Sequence, residues 1–464
     1  MDADSLVHAV EELLQRRLEA LERFVLCQSW LKRTYAQMAH ESSYGPEYVK
    51  QIGSKLWSEI SVAMNETVSK KNIHLVFTPY FQNLSSNQQP SSVQTGSLTA
   101  VSKSSDSSSE VLAANDYGDF TVPSGPVPLN SSLYIQRLPL ETIAFHELEQ
   151  PGCLLKIKAP RRMGKSSLLN RLLAHSSTRG HRTVKLNLQE VDEACFASLD
   201  KFLRWFCANL SGQLGLPSQV DALWDDDMGS KVNCKLYIER CVLANLTAPL
   251  VLGIDELNRI FEYAAIANDF LPMVRVWYEQ SKDDSLWQKL RLVLVHGTDF
   301  YVPLKINQSP FNVGLSIVLP SFTLAQLHEL AHQYGLTSLT QGQGPWHLKA
   351  LHHLTNGHPY LASLVFYALQ QPQTSLAEIL ETAATPIGIY RQHLQRYLAT
   401  LQSDPELADV YSKVVNAEEG VRLDAIAAYR LESFGLIRFE NDLFKPACEL
   451  YRLYFQNQLA ASTS

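Results

Sequence analysis

Short apolar runs alternate with amphipathic stretches through the middle of the chain. Strand-like runs occupy residues 154–158, 183–188, 250–254, 290–295 and 315–319. The stretches between them repeat apolar residues at helical spacing, as over 200–216, 234–246 and 269–282. Short strands joined by crossover helices predict an α/β domain whose parallel sheet is covered by helices on both faces.

After residue 322 the pattern becomes helical, with one late pair of strands. Within 390–460, three helical stretches precede apolar runs at 436–440 and 443–445, which an Asn-Asp turn separates. A hairpin that follows helices is typical of a winged helix. Basic residues are few in this region, which favours packing against the rest of the protein over contact with DNA.

The amino-terminal part of the chain is patterned as helices alone. Residues 6–31 repeat apolar positions at helical spacing, and residues 34–41 predict a short helix. A Ser-Ser-Tyr-Gly turn follows, and Pro46 stands in the first turn of a second helix that has Val49, Ile52 and Leu56 on its inner face. Two helices joined by a tight turn predict a helix-turn-helix.

One segment breaks the composition of the chain. Between Ser85 and Ser109, eleven of the twenty-five residues are serine, mixed with Gln, Asn and Thr. Such a segment cannot bury enough apolar surface to order itself. We therefore predict a helix-turn-helix domain over 1–77 and a flexible linker over 78–126, followed by a large body.

Net charge and hydropathy exclude some classes of protein. The 464 residues carry a net charge of −7, so contact with nucleic acid would have to be confined to one local surface. No apolar run approaches the roughly 18 residues of a membrane span, and the acidic start, Met1-Asp2-Ala3-Asp4, does not resemble a signal peptide. We expect a cytoplasmic protein that does not bind membranes. Its seven cysteines form no C-x-x-C pair that would predict zinc.

The strongest chemical signal follows the first strand of the body. Gly164-Lys165-Ser166 stands between this strand and a helical run over 168–173. In a phosphate-binding loop, glycine lets the backbone approach, N–H groups at the helix N-terminus face the anion, lysine reaches the β- and γ-phosphates and serine binds Mg²⁺. The usual first glycine is alanine here, which we expect to alter loop geometry more than phosphate contact. The residues expected to bind nucleotide are Ala159, Pro160, Arg161, Arg162, Met163, Gly164, Lys165, Ser166 and Ser167.

Two carboxylates end a later apolar strand. Asp255 and Glu256 directly follow the run 250–254. We expect Asp255 and Ser166 to hold Mg²⁺, and Glu256 to orient or deprotonate the attacking water. An isolated Asp-Glu pair is often only a solvated turn, but the phosphate-binding loop upstream favours a catalytic role. Lys165 and Glu256 are therefore predicted catalytic residues.

The body resembles the AAA-like ATPases frequent in cyanobacteria, relatives of the STAND signalling ATPases and the origin-recognition ATPases. The resemblance covers most of 127–460 and rests on the segments 127–137, 159–167, 252–256, 307–314, 356–360 and 446–452. It implies an ATPase core over 127–321, a helical lid over 322–389 and a winged-helix-like domain over 390–464. Ala-Pro before Gly-Lys is familiar in that family, so the alanine in the loop is not a departure from it.

The resemblance assigns further roles. In ATPases with an additional strand between those of the loop and the Asp-Glu pair, that strand ends in a residue that senses the γ-phosphate, here Thr298 or His296. Gly357-His358-Pro359 resembles the G-x-P element of STAND lids, which implies that Pro359 packs on adenine and His358 approaches a phosphate. A structural turn between two helices explains the same residues equally well. The candidates for a transition-state arginine are Arg137, Arg162, Arg259 and Arg275.

Residues 32–72 resemble the N-terminal helix-turn-helix of proteins associated with von Willebrand-type and MoxR-type systems. If this module binds DNA, its second helix enters the major groove. Base contacts would then come from Glu47, Lys50, Gln51 and Ser54, and phosphate contacts from Lys55, Lys70 and Lys71. Residues 23–71 contain seven basic and four acidic residues, a net charge of only +3, which can neutralise few phosphates. Binding of a protein through the same fold is therefore an open alternative.

These observations together predict a nucleotide-switched signalling or regulatory ATPase. ATP and Mg²⁺ bind between the core and the helical lid, and binding or hydrolysis changes the position of the lid. That change alters assembly, as a homo-oligomer or with a partner protein, or DNA binding by the helix-turn-helix. The alternative is a protein-interaction scaffold of a defence or stress pathway, in which nucleotide gates oligomerisation and no DNA is bound.

Overall fold

The chain divides into two compact units, Met1–Tyr117 and Gly118–Ser464. The computed structural model describes residues 20–30, 33–41, 46–64, 68–70, 122–297, 309–340, 344–371 and 374–460, together with positions 7, 10, 11, 13, 14, 16, 18 and 73. Within these ranges, none of the helices is both long and apolar enough to cross a membrane.

The amino-terminal unit contains three described helices, α1 (Ala20–Trp30), α2 (Tyr35–Glu41) and α3 (Pro46–Met64). Thr34 caps α2, because its hydroxyl accepts from the Gln37 N–H at 3.2 Å while Gln37 Oε1 accepts from the Thr34 N–H at 2.8 Å. Trp57 of α3 donates from Nε1 to the hydroxyl of Tyr35 in α2 at 2.9 Å. The two predicted helices, over 34–41 and from Pro46, are confirmed, and the turn predicted between them lies outside the described residues.

The second unit is built on a parallel sheet of five strands in the order β2-β3-β4-β1-β5. Its register pairs Lys158 with His296 and Asn187 with Asp255, so the carboxyl ends of β1 to β4 meet along one edge. The predicted α/β class with a parallel sheet is confirmed. The strands are β1 (Leu154–Lys158), β2 (Arg182–Asn187), β3 (Leu250–Asp255), β4 (Leu290–His296) and β5 (Leu315–Val318).

Helices cover both faces of this sheet. They are α4 (Leu140–Glu147), α5 (Lys165–Thr178), α6 (Leu199–Leu214), α7 (Val220–Leu223), α8 (Ser230–Tyr237) and α9 (Ala264–Gln280). One apolar core joins α4 and α5 to residues such as Leu155 and Val293, and another joins α6, α8 and α9 to Leu154 and Leu252. The helix predicted over 234–246 differs, since α8 continues as a π-helical turn over Ile238–Val242. The periodicity could not reveal this turn, because its apolar residues stay buried.

Beyond the sheet, helices and one hairpin share a single hydrophobic core. The helices are α10 (Leu324–Gln333), α11 (Thr337–Thr340), α12 (Gly344–Thr355), α13 (Pro359–Ala368), α14 (Leu376–Thr382), α15 (Arg391–Gln402), α16 (Pro405–Asn416), α17 (Ala425–Phe434) and α18 (Glu449–Ala460). Between α17 and α18, strands β6 (Ile437–Glu440) and β7 (Leu443–Pro446) pair antiparallel around Asn441 and Asp442, both at positive φ, as predicted. Helix α18, which the sequence reading lacked, packs Phe455 against Tyr411 of α16 with ring centroids 5.2 Å apart.

Candidate functional site

The loop between β1 and α5 has the conformation that a phosphate-binding loop needs. Gly164 has φ of +94°, a left-handed conformation that glycine adopts without strain, and precedes α5 without a side-chain cap. The N-terminal N–H groups of the fourteen-residue α5 therefore face the loop. Ala159 is fully buried at the start of the loop, and the Arg162 backbone also has a positive φ, of 63°.

Lys165 lies inside the loop. Its side chain is only 7% exposed, and Nζ donates to the carbonyl oxygens of Ala159 and Pro160, both at 2.9 Å. Burial lowers the pKa of Lys165 to about 8, although the carboxylates of Glu256 and Asp255 oppose that shift. A cation held in a low-dielectric loop by backbone carbonyls alone is well suited to receive an anionic ligand.

Asp255 connects the end of β3 to the first turn of α5. Its Oδ1 accepts from the Ser166 hydroxyl at 3.2 Å and from the Glu256 N–H at 3.0 Å. Its Oδ2 lies 3.1 Å from Lys185 Nζ, and Asp255 as a whole is 3% exposed. The structure thus brings together the two residues predicted to hold Mg²⁺. It adds Lys185 of β2, which the sequence reading missed because this residue belongs to no sequence motif.

Glu256 begins the turn after β3 with a φ of 53°. Its Oε2 accepts from Asn258 Nδ2 at 3.3 Å, and the Oδ1 of the same amide accepts from the Gly297 N–H at 3.3 Å. Asn258 therefore ties the carboxylate to the end of β4, where His296 is buried against the Phe311 ring. Thr298, the other residue predicted to sense the γ-phosphate, lies outside the described residues.

The predicted lid element lies close to the loop. His358 caps α13, Pro359 occupies its first turn, and both are buried. Burial, with smaller contributions from the positive charges of Arg162 and Arg137, lowers the pKa of His358 to about 4. Arg162 of the loop lies over the ring of Tyr360, with Cζ 3.9 Å from the ring centroid. The loop and α13 are thus in direct contact.

A second contact joins the loop to the carboxyl-terminal region. Gly435 follows α17 with φ of +74°, and a Cβ built on it would lie 2.6 Å from Pro160 Cβ. Any residue with a Cβ at position 435 would therefore displace either this segment or the loop. The sequence reading missed this contact, because a glycine that ends a helix is explained by its backbone conformation alone.

The four candidate arginines are in different environments. Arg162 stacks on Tyr360 of α13, and Arg137 is 3% exposed and donates from Nη2 to the Met163 carbonyl at 2.7 Å. Arg259 forms ion pairs with Glu193 at 2.8 Å and with Glu262. Arg275 donates to the Ser309 carbonyl at 3.0 Å and pairs with Glu279 at 2.8 Å. No single arginine is thereby selected for the transition state.

The donor set at the loop fits Mg²⁺ better than a transition metal. Ser166 and Asp255 offer hard oxygen atoms on adjacent elements. Within the described ranges, no group of three or more His, Cys, Asp and Glu residues is arranged to hold a metal. Mg²⁺ in nucleotide-binding sites needs only one or two protein oxygen ligands, because phosphate oxygens and water supply the others.

Four of the residues predicted to contact DNA lie on one face of α3. Lys50, Gln51, Ser54 and Lys55 are all exposed. Lys55 Nζ lies 4.0 Å from Glu59 of the same helix, which reduces the positive charge of that face. Lys70 Nζ lies over the Tyr35 ring, 4.6 Å from its centroid, and burial lowers its pKa. Lys71 is outside the described residues.

Comparisons with known proteins agree with this geometry. Residues 122–457 match the family described as AAA-like domain, and residues 1–80 match the vWA-MoxR associated protein N-terminal HTH. An uncharacterized WD repeat-containing protein of Synechocystis is 22% identical over an alignment of 325 residues that covers 64% of this chain. This match spans only 27% of that relative.

Two solved structures are similar in fold. The Walker-type ATPase of Pyrococcus abyssi superposes with a TM-score of 0.50 at 13% identity, over 70% of this chain and 96% of that chain. The ORC2 protein of Aeropyrum pernix in its ADP form gives a TM-score of 0.41 at 17% identity, over 74% of this chain and 98% of that chain. With the family matches and the loop geometry, the chain belongs to the AAA-like domain family and carries an N-terminal vWA-MoxR associated helix-turn-helix domain.

Proposed function

We propose that this protein is a nucleotide-switched regulatory ATPase. The observation that carries the proposal is the contact of one phosphate-binding loop with two later regions of the chain. Arg162 stacks on Tyr360 of α13, and Pro160 touches Gly435 after α17. A ligand that changes the loop therefore acts directly on the lid and on the carboxyl-terminal helices, and it shifts their equilibrium through differential contact.

The proposed chemistry assigns one role to each residue at the edge of the sheet. Lys165 and the N–H groups of the 159–167 loop bind the phosphates of ATP. Ser166 and Asp255 hold Mg²⁺, which supplies charge neutralisation at the phosphates when it is bound. Glu256 orients the attacking water and accepts its proton, and Thr298 or His296 senses the γ-phosphate.

The lid residues provide the proposed nucleotide response. Pro359 packs on the adenine, and the buried, neutral ring of His358 lies at the phosphate side. Because Gly357 also hydrogen-bonds to Phe322, movement of this turn is transmitted to the segment that connects the sheet to α10. Such a lid favours slow, regulatory hydrolysis, since release of the product requires it to open.

The output of the switch is proposed to be assembly or DNA binding by the helix-turn-helix. The exposed side chains of Lys50, Gln51, Ser54 and Lys55 would face the bases and phosphates. The proximity of Lys55 to Glu59 and of Lys70 to Tyr35 instead supports the scaffold alternative, in which this module binds protein and nucleotide gates oligomerisation.

Nucleotide binding and hydrolysis by the full chain test the enzymatic claim. Lys165→Ala should weaken Mg-ADP and Mg-ATP binding about 10- to 100-fold, because a buried charged hydrogen-bond donor is lost. Glu256→Gln should leave binding intact and lower kcat by about 10²–10⁴-fold. Glu406→Gln is the control, since this carboxylate is exposed in the first turn of α16. A wild type that neither binds nor hydrolyses ATP refutes the proposal.

Duplex binding at increasing salt separates the two outputs. If the helix-turn-helix binds DNA, the double substitution Lys50→Ala with Lys55→Ala should abolish duplex binding. The affinity of the wild type for the duplex should fall steeply as the salt concentration rises. The control pair, Lys201→Ala with Lys282→Ala, removes two exposed charges from the ATPase body. Absence of duplex binding at low salt in every nucleotide state would favour the scaffold.

A further inference from the structure

Arg137 is a buried cation, and within the described ranges no carboxylate forms an ion pair with its guanidinium. It is 3% exposed, and its Nη2 and Nε donate to the carbonyl oxygens of Met163 at 2.7 Å and Pro320 at 3.2 Å. Its Cζ lies 4.7 Å from the centroid of the Phe322 ring. Burial lowers the pKa of Arg137. A charge kept in such surroundings needs a reason, because its desolvation is costly.

The contact with Met163 fixes one peptide group of the phosphate-binding loop. In a trans peptide the carbonyl oxygen and the following N–H point in opposite directions. Because Arg137 holds the Met163 carbonyl, the Gly164 N–H points away from the guanidinium. A Cβ built on Gly164 would lie 3.4 Å from Arg137 Nη2, so the arginine packs directly against this glycine. Arg137 thus determines the direction of an N–H group that the loop offers to an anion.

The other two contacts of Arg137 lie at the root of the lid. Pro320 and Phe322 connect β5 to α10, and the Phe322 N–H donates to the Gly357 carbonyl at 2.8 Å. A Cβ on Gly357 would lie 2.0 Å from the Phe322 oxygen, so the two segments are packed as closely as backbone allows. One side chain therefore contacts both the loop and the segment that positions His358.

We propose that Arg137 is a positioning residue that couples anion binding at the Met163–Gly164 peptide to the root of the lid. This inference rests on the proposed function, because the anion is taken to be the phosphate of a bound nucleotide. Coupling requires the planar guanidinium, which donates in two directions and stacks on Phe322 at once. A lysine keeps the positive charge but has no planar group for these three contacts.

Arg171 offers a matched control. It lies on α5, two turns beyond the loop, and donates to the carbonyl oxygens of Val127 and Pro128 at 3.0 and 2.8 Å. Its Cζ lies 3.4 Å from the centroid of the Tyr134 ring. Arg171 therefore attaches the same 127–137 segment by the same types of contact as Arg137, but to the body of the helix.

The test compares the full chain with R137K and R171K. Mg-ADP affinity is measured by calorimetry, and amide hydrogen exchange of residues 321–322 and 356–358 is measured with and without saturating Mg-ADP. R137K should bind Mg-ADP about tenfold more weakly, and at saturation its lid root should lose the nucleotide-induced protection of the wild type. R171K should keep both properties. If Arg137 only stabilised the fold, R137K and R171K variants of equal thermal stability would not differ in Mg-ADP affinity or in hydrogen exchange.

Each outcome decides between the claims. If R137K retains wild-type affinity and protection, or R171K loses both equally, the inference is overturned while the proposed function stands. A wild type that binds no nucleotide overturns both. If R137K does not fold, Phe322→Leu replaces it, because this change removes the stacked ring and leaves the loop contact. It should lose the protection at the lid root with less than about a twofold change in affinity, and unchanged protection would overturn the coupling.

Discussion

Lys165→Met is expected to change the pH dependence of stability when no nucleotide is present. Burial lowers the pKa of Lys165 from 10.5 to about 8 in the folded chain. Between these two values the unfolded chain binds the lysine proton more tightly than the folded chain. The wild type therefore gains stability as pH rises from about 8 to about 10.5. Methionine has a similar length and no proton to lose, so the variant lacks this gain.

The magnitude follows from the change in pKa. A fall from 10.5 to about 8 corresponds to about 3 kcal/mol of destabilisation by the charged lysine at neutral pH. Raising the pH from about 7 to about 9.5 removes about 2 kcal/mol of it. The variant also loses two hydrogen bonds that the charged ammonium donates to Ala159 and Pro160, worth about 1.5 kcal/mol or more each. At pH 7 these losses offset the relief of burial, so the prediction concerns the change with pH: the wild type gains about 2 kcal/mol between the two pH values and the variant does not.

Urea unfolding of the full chain at the two pH values measures this difference. Tryptophan fluorescence reports on the ATPase body, because Trp277 and Trp287 are buried in its core. Lys201→Met is the control, since Lys201 is exposed on α6 and should give the wild-type pH dependence. The reasoning is refuted if Lys165→Met and the wild type show the same change in the free energy of unfolding between the two pH values.

Three further substitutions test other parts of the site. Lys185→Met removes the ammonium group 3.1 Å from Asp255 Oδ2, which competes with a cation for this carboxylate. The variant should therefore bind Mg²⁺ several-fold more tightly in the presence of ADP. A Mg²⁺ titration that shows equal or weaker affinity would contradict this. Gly435→Ala should weaken nucleotide binding, because the added Cβ meets the loop. The control Gly180→Ala, also at positive φ but with nothing within 4 Å of its Cβ, should only lower the stability of the fold. Equal nucleotide affinities of the two variants in calorimetry would count against the contact. Burial lowers the pKa of His393 to about 2 in the folded chain, whereas the unfolded chain binds this proton below pH 6.5. The wild type therefore loses stability as the pH falls below 6.5. His393→Phe should therefore lose about 2 kcal/mol less than the wild type between pH 7.5 and pH 5 in urea unfolding, and an unchanged slope would contradict the burial argument.

The sequence predicted the parts of the molecule that local patterns determine. Apolar runs placed the five parallel strands to within a residue or two, since buried strands are short and continuous. Parallel strands have their carboxyl ends at one edge of the sheet, so Ser166 and Asp255 were expected to be neighbours, and the serine hydroxyl lies 3.2 Å from the carboxylate. The turn at Asn441 was predicted for a similar reason, because its residue type tolerates positive φ.

Contacts between distant segments were beyond such patterns. Gly435 was explained by the end of its helix, although the same glycine touches Pro160. Lys185 and Asn258 belong to no sequence motif, and their contacts with Asp255 and Glu256 depend on which segments fold together. Arg137 was considered only as a transition-state arginine, whereas its burial at 3% exposure and its contact with the Met163 carbonyl place it behind the loop. Each of these roles depends on which segment folds against the residue.

Sedimentation velocity of the full chain tests the central claim, that nucleotide in the loop changes the state of the whole molecule. Glu256→Gln is used so that ATP stays uncleaved, and the chain is compared without nucleotide, with Mg-ADP and with Mg-ATP at saturation. We predict a different sedimentation coefficient in the Mg-ATP state, from altered compactness or from assembly, and no such difference in Lys165→Ala. Identical coefficients in all three states, with calorimetry showing that nucleotide is bound, would contradict the account.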